Sequence, residues 1–156
     1  MTTTNAMRIC TQAKIPFSTS QYEYDESDLS GVHAAQMLGI DAALMYKTLV
    51  VRGEKKGIAV FCIPVAEELD LKQCARVLGD KRVELIAVKE LLSVTGYLRG
   101  GCSPIGMKKR YPTFLHIAAQ TLEKIYVSAG VRGQQIILSP AHLQQLTNAI
   151  YAPLIR

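Results

Sequence analysis

The sequence predicts an α+β fold, with a mixed, barrel-like β-sheet surrounded by helices in one compact domain over residues 1–156. Short strand-like segments outnumber helical ones and are interrupted at irregular intervals, which is typical of α+β architecture. The chain has 156 residues, enough to bury a core without disulfides or a structural metal. Hydrophobic residues make up 49% and charged residues 20%, an ordinary globular balance, so we expect neither disorder nor a second domain.

The first half of the chain alternates helices and strands. Proline at position 16 ends the first helical pattern, Ser30 is suited to cap the second helix, and Gly39 is suited to stop it. A charged, glycine-containing segment separates two apolar runs, which we expect to pair as a central antiparallel hairpin. The predicted elements are a helix over 5–13, a strand over 17–24, a helix over 30–38, and strands over 45–51 and 58–64.

The second half follows the same rules. Leu71, Cys74 and Leu78 share one helical face, and Gly79 closes that helix. Pro140 stands at the favoured first position of the last helix. The predicted elements are a helix over 70–78, a strand over 83–87, a helix over 88–94, strands over 113–117, 124–128 and 134–138, and a final helix that starts at 139–140.

The segment 96–110, with the sequence GYLRGGCSPIGMKKR, predicts a shaped loop. Its four glycines open backbone conformations with positive φ, and its proline removes an amide donor. Free amides beside a run of three cations suit an anionic or carbonyl-bearing ligand. The alternative interpretation is a plain glycine-rich connection that ends in a solvated charge run.

The charge balance permits a nucleic-acid ligand without requiring one. The formal net charge is +5 and the isoelectric point is near 9.1. No apolar run reaches the length of a membrane span, and the N-terminus lacks the pattern of a signal peptide. We therefore expect a cytoplasmic protein without membrane contact.

The cysteines and histidines predict no metal site and no cofactor. Cys10, Cys62, Cys74 and Cys102 are scattered, with no pair at zinc-ligand spacing and no histidine pair near them. Cys102 lies in the glycine-rich loop, yet no base stands at triad spacing to activate it. A small buried hydrophobe is therefore the favoured interpretation of Cys102.

Lys47 is the most unusual polar residue, because it interrupts an apolar predicted strand. If it faces a cleft, its ammonium group can bind a phosphate or polarise a carbonyl. If it faces outward, it is an ordinary strand lysine, and from the residues alone this second interpretation is favoured. Ser103 and Ser128 stand beside turns, where each can bind a substrate or stabilise its own turn.

Three segments together resemble the YbaK family of bacterial Cys-tRNA(Pro) deacylases, which are related to the editing domain inserted in prolyl-tRNA synthetases. They are YKTLVV at 46–51, SVTGYLRGGCSPIGMKKR at 93–110 and IYVSAGVRG at 125–133. They occur in the family's order, and the similarity covers nearly the whole chain.

The resemblance implies a trans-editing enzyme that hydrolyses the ester of mischarged Cys-tRNA(Pro). It implies that Lys47 holds the phosphate or terminal adenosine of the acceptor end, and that the amides of Gly100 and Gly101 form an oxyanion hole. It also implies partnership with prolyl-tRNA synthetase. The other implied site residues are Tyr22, Ser103, Pro104, Gly106 and Ser128 for substrate, and Lys108, Lys109, Arg110 and Arg132 for tRNA.

The resemblance further implies substrate-assisted chemistry, in which the thiol of the bound cysteine attacks its own ester carbonyl. Three positions depart from the family pattern. Cys102 replaces an aliphatic residue, Ala129 replaces a glycine, and Gln135 stands where some members carry an aspartate. The last two changes leave two alternatives open, a deacylase for Ala-tRNA or another small misacylated residue, and a module that binds tRNA or synthetase without catalysis.

Overall fold

A computed structural model describes residues 2–156, in which eight short strands form two sheets. The strands are β1 (Ser18–Gln21), β2 (Tyr46–Gly53), β3 (Gly57–Pro64), β4 (Val83–Leu85), β5 (Thr113–His116), β6 (Ile125–Ser128), β7 (Gln134–Leu138) and β8 (Ile150–Ala152). The α-helices are α1 (Asn5–Gln12), α2 (Gly31–Leu38), α3 (Leu71–Leu78), α4 (Leu91–Thr95) and α5 (Pro140–Thr147). Short 3₁₀ helices span Ala42–Leu44, Val88–Glu90 and Ile117–Thr121.

The larger sheet has the strand order β4-β2-β3-β5-β8. Strands β2 and β3 form the predicted antiparallel hairpin, with Tyr46 opposite Pro64 at one end and Gly53 opposite Gly57 at the other. The pairings β3–β5 and β5–β8 are parallel, so the sheet is mixed, as predicted. The rings of Phe61 and Phe114 stack with their centroids 4.9 Å apart, and this contact stabilises the pairing of β3 with β5.

The smaller sheet has the order β1-β7-β6, and it touches the larger sheet through a parallel bridge between Met45 and Tyr126. The α+β class and the mixed sheet are confirmed, but the two sheets do not close into a barrel. The sheets do not close because β6 bonds to the β2 segment only at the Met45–Tyr126 bridge and diverges from β2 beyond it. Strand β4 is also too short to cover the rest of that edge.

Helix ends follow local side-chain chemistry. Ser30 accepts a hydrogen bond from the amide of His33 at 3.2 Å, and Gly39 ends α2 with φ of +67°. Ser139 caps α5, which begins at Pro140 as predicted. The predicted helix 88–94 is instead a 3₁₀ turn followed by α4, and β8 has no counterpart among the predicted elements.

Buried apolar side chains form the core on both faces of the hairpin. On one face, Tyr46, Val60 and Cys62 pack with the inner face of the smaller sheet and with α1. On the other face, Phe61 and Ile63 pack with α3. Within residues 2–156, no helix is both long and apolar enough to cross a membrane. The cytoplasmic location stays a prediction.

The β2–β3 hairpin, which carries Lys47, is held at its turn by Asp80. The Asp80 carboxylate accepts the amides of Lys56 at 2.7 Å, Lys55 at 3.0 Å and Lys81 at 2.7 Å. These amides, that of Lys56 first, lower the pKa of Asp80 below its ordinary value of 3.8. A carboxylate whose pKa is lower in the folded protein than in the unfolded chain stabilises the fold at pH values above its ordinary pKa. That stabilisation is lost as the pH falls through the folded-state pKa.

We therefore expect Asp80→Asn to lower the melting temperature at pH 7, because the anionic acceptor is lost. The difference in melting temperature between variant and parent should narrow as the pH falls below the ordinary pKa of 3.8, since the parent's carboxylate is then progressively protonated. Thermal unfolding followed by circular dichroism measures both effects. Glu123→Gln, at an exposed carboxylate, is the control that should behave like the parent. A constant difference at every pH would contradict this account.

Candidate active site

A cleft of about 380 Å³ opens where β2 and β6 diverge. This volume lies within the range of roughly 300–1,000 Å³ that is common for small-ligand pockets. The cleft is lined on one side by residues 45–50 of β2 and its approach, and by 85–88 at and after the end of β4. The other lining residues are Arg99, Gly100 and Cys102 of the glycine-rich loop, the start of α2, Tyr22 after β1, and Ser128 and Gln135 of the smaller sheet.

The cleft exists because one edge of β2 is left uncovered. Strand β4 pairs only with residues 51–53, and the last contact is the amide of Ile86 donating to the Val50 carbonyl at 3.1 Å. Alternate residues of a strand direct their backbone groups to the same side. The amide and carbonyl of Thr48 therefore face the cleft beyond the end of β4.

Two cations line the cleft, Lys47 from β2 and Arg99 from the loop, and among the described residues no aspartate or glutamate lines it. Burial lowers the pKa of Lys47, and the carboxylates of Glu68 and Glu67 oppose that shift by a smaller amount. Lys47 therefore lines a cleft. The residues alone favour the other interpretation, an ordinary outward-facing strand lysine. A cleft whose lining includes two cations and no carboxylate suits an anionic ligand.

The glycine-rich loop contributes two residues to the cleft lining whose backbone amides have no partner within residues 2–156. Gly100 adopts φ of +85°, which is strained for any other residue. Within residues 2–156 neither Gly100 nor Cys102 donates its amide to another backbone or side-chain acceptor. Both residues line the cleft, so both amides are free to bind a developing negative charge.

Gly101 has a different role from the one expected for it. Its amide donates to the Leu98 carbonyl at 2.9 Å, so it closes a turn and is not free for a ligand. A Cβ at Gly101 would stand 3.1 Å from the Arg132 amide nitrogen. Gly101 thus lets the loop pack against the turn at 131–132, and the free amides beside the cleft belong to Gly100 and Cys102.

The opposite wall is neutral and polar. Ser128 and Gln135 line it, with Tyr22 at its end. Gln135 is only 6% exposed, and its amide oxygen has no hydrogen-bond partner in the described part of the chain. Burial raises the pKa of the Tyr22 hydroxyl, which therefore stays protonated at neutral pH.

The remaining predicted site residues do not line the cleft. Ser103 is fully buried, and its hydroxyl accepts the amide of Ile105 at 3.2 Å. Arg132 lies beside the cleft, where its Nε donates to the Arg99 carbonyl at 2.8 Å and braces the loop. A separate groove of about 360 Å³ holds the second half of the loop, including Pro104, Gly106, Lys108, Lys109 and Arg110. One glycine-rich segment therefore contributes to two surfaces.

The cysteines and histidines do not assemble a catalytic set. Burial raises the pKa of Cys102 to about 11, against a smaller opposing effect of the Thr95 hydroxyl. The three histidines lie outside the cleft lining, and His116 uses Nδ1 to accept the amide of Leu154 at 3.1 Å. Within residues 2–156 no group of three or more histidine, cysteine or acidic side chains is arranged to hold a metal ion.

Sequence reasoning missed several parts of the site. Thr48 gave only a weak signal, since it stands next to Lys47. Residues 85–88 gave no signal, because a short apolar segment looks the same whether it lines a core or a cleft.

Fold and cleft together define an α+β domain with a cleft of the size usual for a small ligand, which has one cationic wall and one neutral polar wall. The chain belongs to the aminoacyl-tRNA editing domain family, whose sequence model matches residues 29–146. This confirms the resemblance inferred from the three sequence segments.

Individual relatives agree with this membership. The chain is 48% identical over 149 residues, 96% of its own length and 91% of the relative's, to the proposed Cys-tRNA(Pro)/Cys-tRNA(Cys) deacylase EbsC of Enterococcus faecalis. The crystal structure of a proposed trans-editing enzyme for prolyl-tRNA synthetase matches with a TM-score of 0.81, 23% identity and 99% coverage of both chains. That of the hypothetical protein APE2540 matches with a TM-score of 0.86, 21% identity and coverage of 96% and 97%. These two structures support the fold.

The raised pKa of Cys102 generates a direct prediction about its reactivity. Only about one thiol in 10³ is ionised at pH 8 when the pKa is about 11, and the thiolate is the reactive form. Alkylation of Cys102 by iodoacetamide should be slow at pH 7 and should accelerate about tenfold per pH unit up to pH 10. Site-resolved mass spectrometry measures the rate, with free cysteine as reference. Rapid labelling at pH 7 would refute an inert thiol.

Proposed function

We propose that this protein is an aminoacyl-tRNA deacylase that hydrolyses Cys-tRNA(Pro). The observation that carries this proposal is the pairing of Lys47 on one wall of the cleft with the free amides of Gly100 and Cys102 beside it. Family membership and the 48% identity to EbsC support the substrate class.

The two cations provide a site for the acceptor end of the tRNA. Lys47 and Arg99 can bind the phosphate that precedes the terminal adenosine, and no carboxylate in the described lining repels it. The exposed edge of β2 at Thr48 adds a backbone donor and an acceptor, which can hydrogen-bond to ribose hydroxyls. This arrangement directs the aminoacyl ester into the cleft, toward the glycine-rich loop.

The chemistry needs stabilisation of an oxyanion more than it needs a side-chain nucleophile. The amides of Gly100 and Cys102 can stabilise the charge that develops on the ester oxygen. The thiol of the substrate cysteine forms a bond to its own carbonyl carbon, the bond to the ribose oxygen breaks, and the thiol proton ends on that oxygen. Water then opens the cyclic thioester to free cysteine. Holding the thiol close to the carbonyl can lower the barrier by about 7–11 kcal/mol in well-oriented cases.

The cleft itself favours assistance by the substrate over an enzymic base. No histidine, aspartate or glutamate of the described residues lines it. Tyr22 and Cys102 both have raised pKa values, so neither supplies an anion at neutral pH. Lys47 is better suited to binding and to electrostatic stabilisation than to proton abstraction.

The groove at 104–110 supports a second part of the proposal. Lys108, Lys109 and Arg110 are exposed there, and Arg110 is held by the Leu146 carbonyl at 3.1 Å. We propose that these three cations, together with Arg132 beside the cleft, bind the tRNA backbone, so binding should weaken steeply with salt.

Prolyl-tRNA synthetase is the proposed partner that selects the tRNA. Tighter binding of the protein to a synthetase–tRNA mixture than to either component would support that partnership.

The deciding experiment follows ester loss from Cys-tRNA(Pro), Ala-tRNA(Pro) and Cys-tRNA(Cys) in the presence of purified protein. Loss of cysteine from tRNA(Pro) with alanine spared supports the thiol-assisted reaction. Loss of alanine as well would replace it with attack by water on small aminoacyl esters. Binding of tRNA without loss of any ester would instead identify a non-catalytic module. Loss from Cys-tRNA(Cys) tests whether the protein alone distinguishes the two tRNAs.

We expect Lys47→Ala to lower kcat/KM on Cys-tRNA(Pro) by at least about 10- to 150-fold, the effect of losing a hydrogen bond to a charged group. The fold should survive, because the change keeps the backbone pairing of Lys47 with Ile63 and the ammonium group makes no ion pair within residues 2–156. Lys72→Ala, on the exposed face of α3, is the matched control and should keep full activity. Full activity in Lys47→Ala would remove the role assigned to this lysine.

A further inference from the structure

A row of three polar side chains crosses the smaller sheet beneath the cleft. Ser20 of β1 lies directly opposite Gln135 of β7, which lies directly opposite Ser128 of β6. Residues paired in this way project from the same face of a sheet. The other face of the sheet carries Val127 and Ile136, which belong to the core. The polar row is therefore confined to the cleft side.

The row contains acceptors that the protein itself does not satisfy. In the described part of the chain, the Gln135 amide oxygen and the Ser20 hydroxyl are buried without a hydrogen-bond partner. Ser128 accepts the Gly130 amide at 3.1 Å and keeps its hydroxyl for one further contact. Buried polar groups are almost always hydrogen-bonded, so an orphaned amide oxygen in a cleft indicates a donor supplied by the ligand.

The charges of the cleft indicate which donor that is. Lys47 and Arg99 occupy the other wall, where they favour anionic groups and repel a cation. An aminoacyl ester carries one cation, its α-ammonium group, which has three donors and no acceptor. An ammonium group binds favourably where oxygen atoms accept its hydrogen bonds and where neither Lys47 nor Arg99 is close enough to repel it. The polar row meets both conditions.

We propose that Gln135, together with Ser128, binds the α-amino group of the aminoacyl ester and is a specificity-determining residue of the cleft. This inference rests on the proposed function. It fixes the orientation of the substrate, with the nucleotide along β2, the ester carbonyl at the amides of Gly100 and Cys102, and the amino group on the smaller sheet. It also means that the protein selects acyl groups that carry an amine over those that do not.

The test uses two substrates that differ only in the amino group, Cys-tRNA(Pro) and its des-amino analogue 3-mercaptopropionyl-tRNA(Pro). Both carry the thiol at the same distance from the carbonyl, so both can react by the same route. The parent protein should prefer Cys-tRNA(Pro) by about tenfold or more in kcat/KM, the usual effect of a hydrogen bond to a charged group.

Gln135→Met keeps the length of the side chain and removes the acceptor. It should lower kcat/KM on Cys-tRNA(Pro) toward the level of the analogue, with Ser128 keeping its own contact, and should lower the rate on the analogue by far less. Gln135→Glu keeps the acceptor and adds a negative charge, so the preference should persist or widen. Gln134→Met is the matched control: its amide oxygen is also without a described partner, but it projects from the opposite face and does not line the cleft. It should match the parent.

The outcomes distinguish a failure of this inference from a failure of the proposed deacylase function. Equal kcat/KM of the parent on both substrates would overturn this inference while leaving the deacylase function intact. An equal loss on both substrates in Gln135→Met would also overturn it, because a merely structural residue behaves in that way. If that variant does not fold by circular dichroism, the parent and Gln135→Glu decide the question. Hydrolysis of neither substrate by the parent would overturn the proposed function and this inference together.

Discussion

The site depends on one strand edge that is left without a partner. From Tyr46 to Leu49, β2 bonds to β3 on one side only, because β4 ends before reaching it and β6 turns away after the bridge at Met45. An unpaired edge normally invites association with another strand, and proteins usually cover it. Here the chain covers it only in part, with the glycine-rich loop and the start of α2. The space that remains is the cleft.

This geometry places different chemistry on each side of one small volume. The β2 side carries Lys47, the loop carries Arg99 and free amides, and the smaller sheet carries neutral acceptors at Ser128 and Gln135. Such separation lets a single ligand present its anionic, carbonyl and cationic parts to three different surfaces. Orientation of this kind is what an enzyme needs when the substrate supplies its own nucleophile. The editing-domain family to which the chain belongs acts on a ligand with these three parts.

Much of the fold was predictable because its signals are local. The hairpin of β2 and β3, the cap at Ser30 and the start of α5 at Pro140 follow from residues within a few positions of one another. The mixed sheet was predicted correctly, but it does not close into a barrel, since closure depends on how far β6 stays beside β2. The role of Gly101 also differed from expectation. A glycine pair predicts a special backbone, but only the folded loop assigns one amide to a turn and leaves its neighbours free.

The sequence by itself determined most of the helices and strands, the glycine-rich loop, the excess of positive charge and, through three segments that resemble the family, the family itself. These properties are carried by residue types and short spacings, which act in the chain before it folds. Only the tertiary structure decided which way Lys47 points, that the loop serves two surfaces, and that Ser20, Gln135 and Ser128 form one row. The physical reason is that strand pairing and the direction of each pleat are set by contacts between residues far apart in the chain.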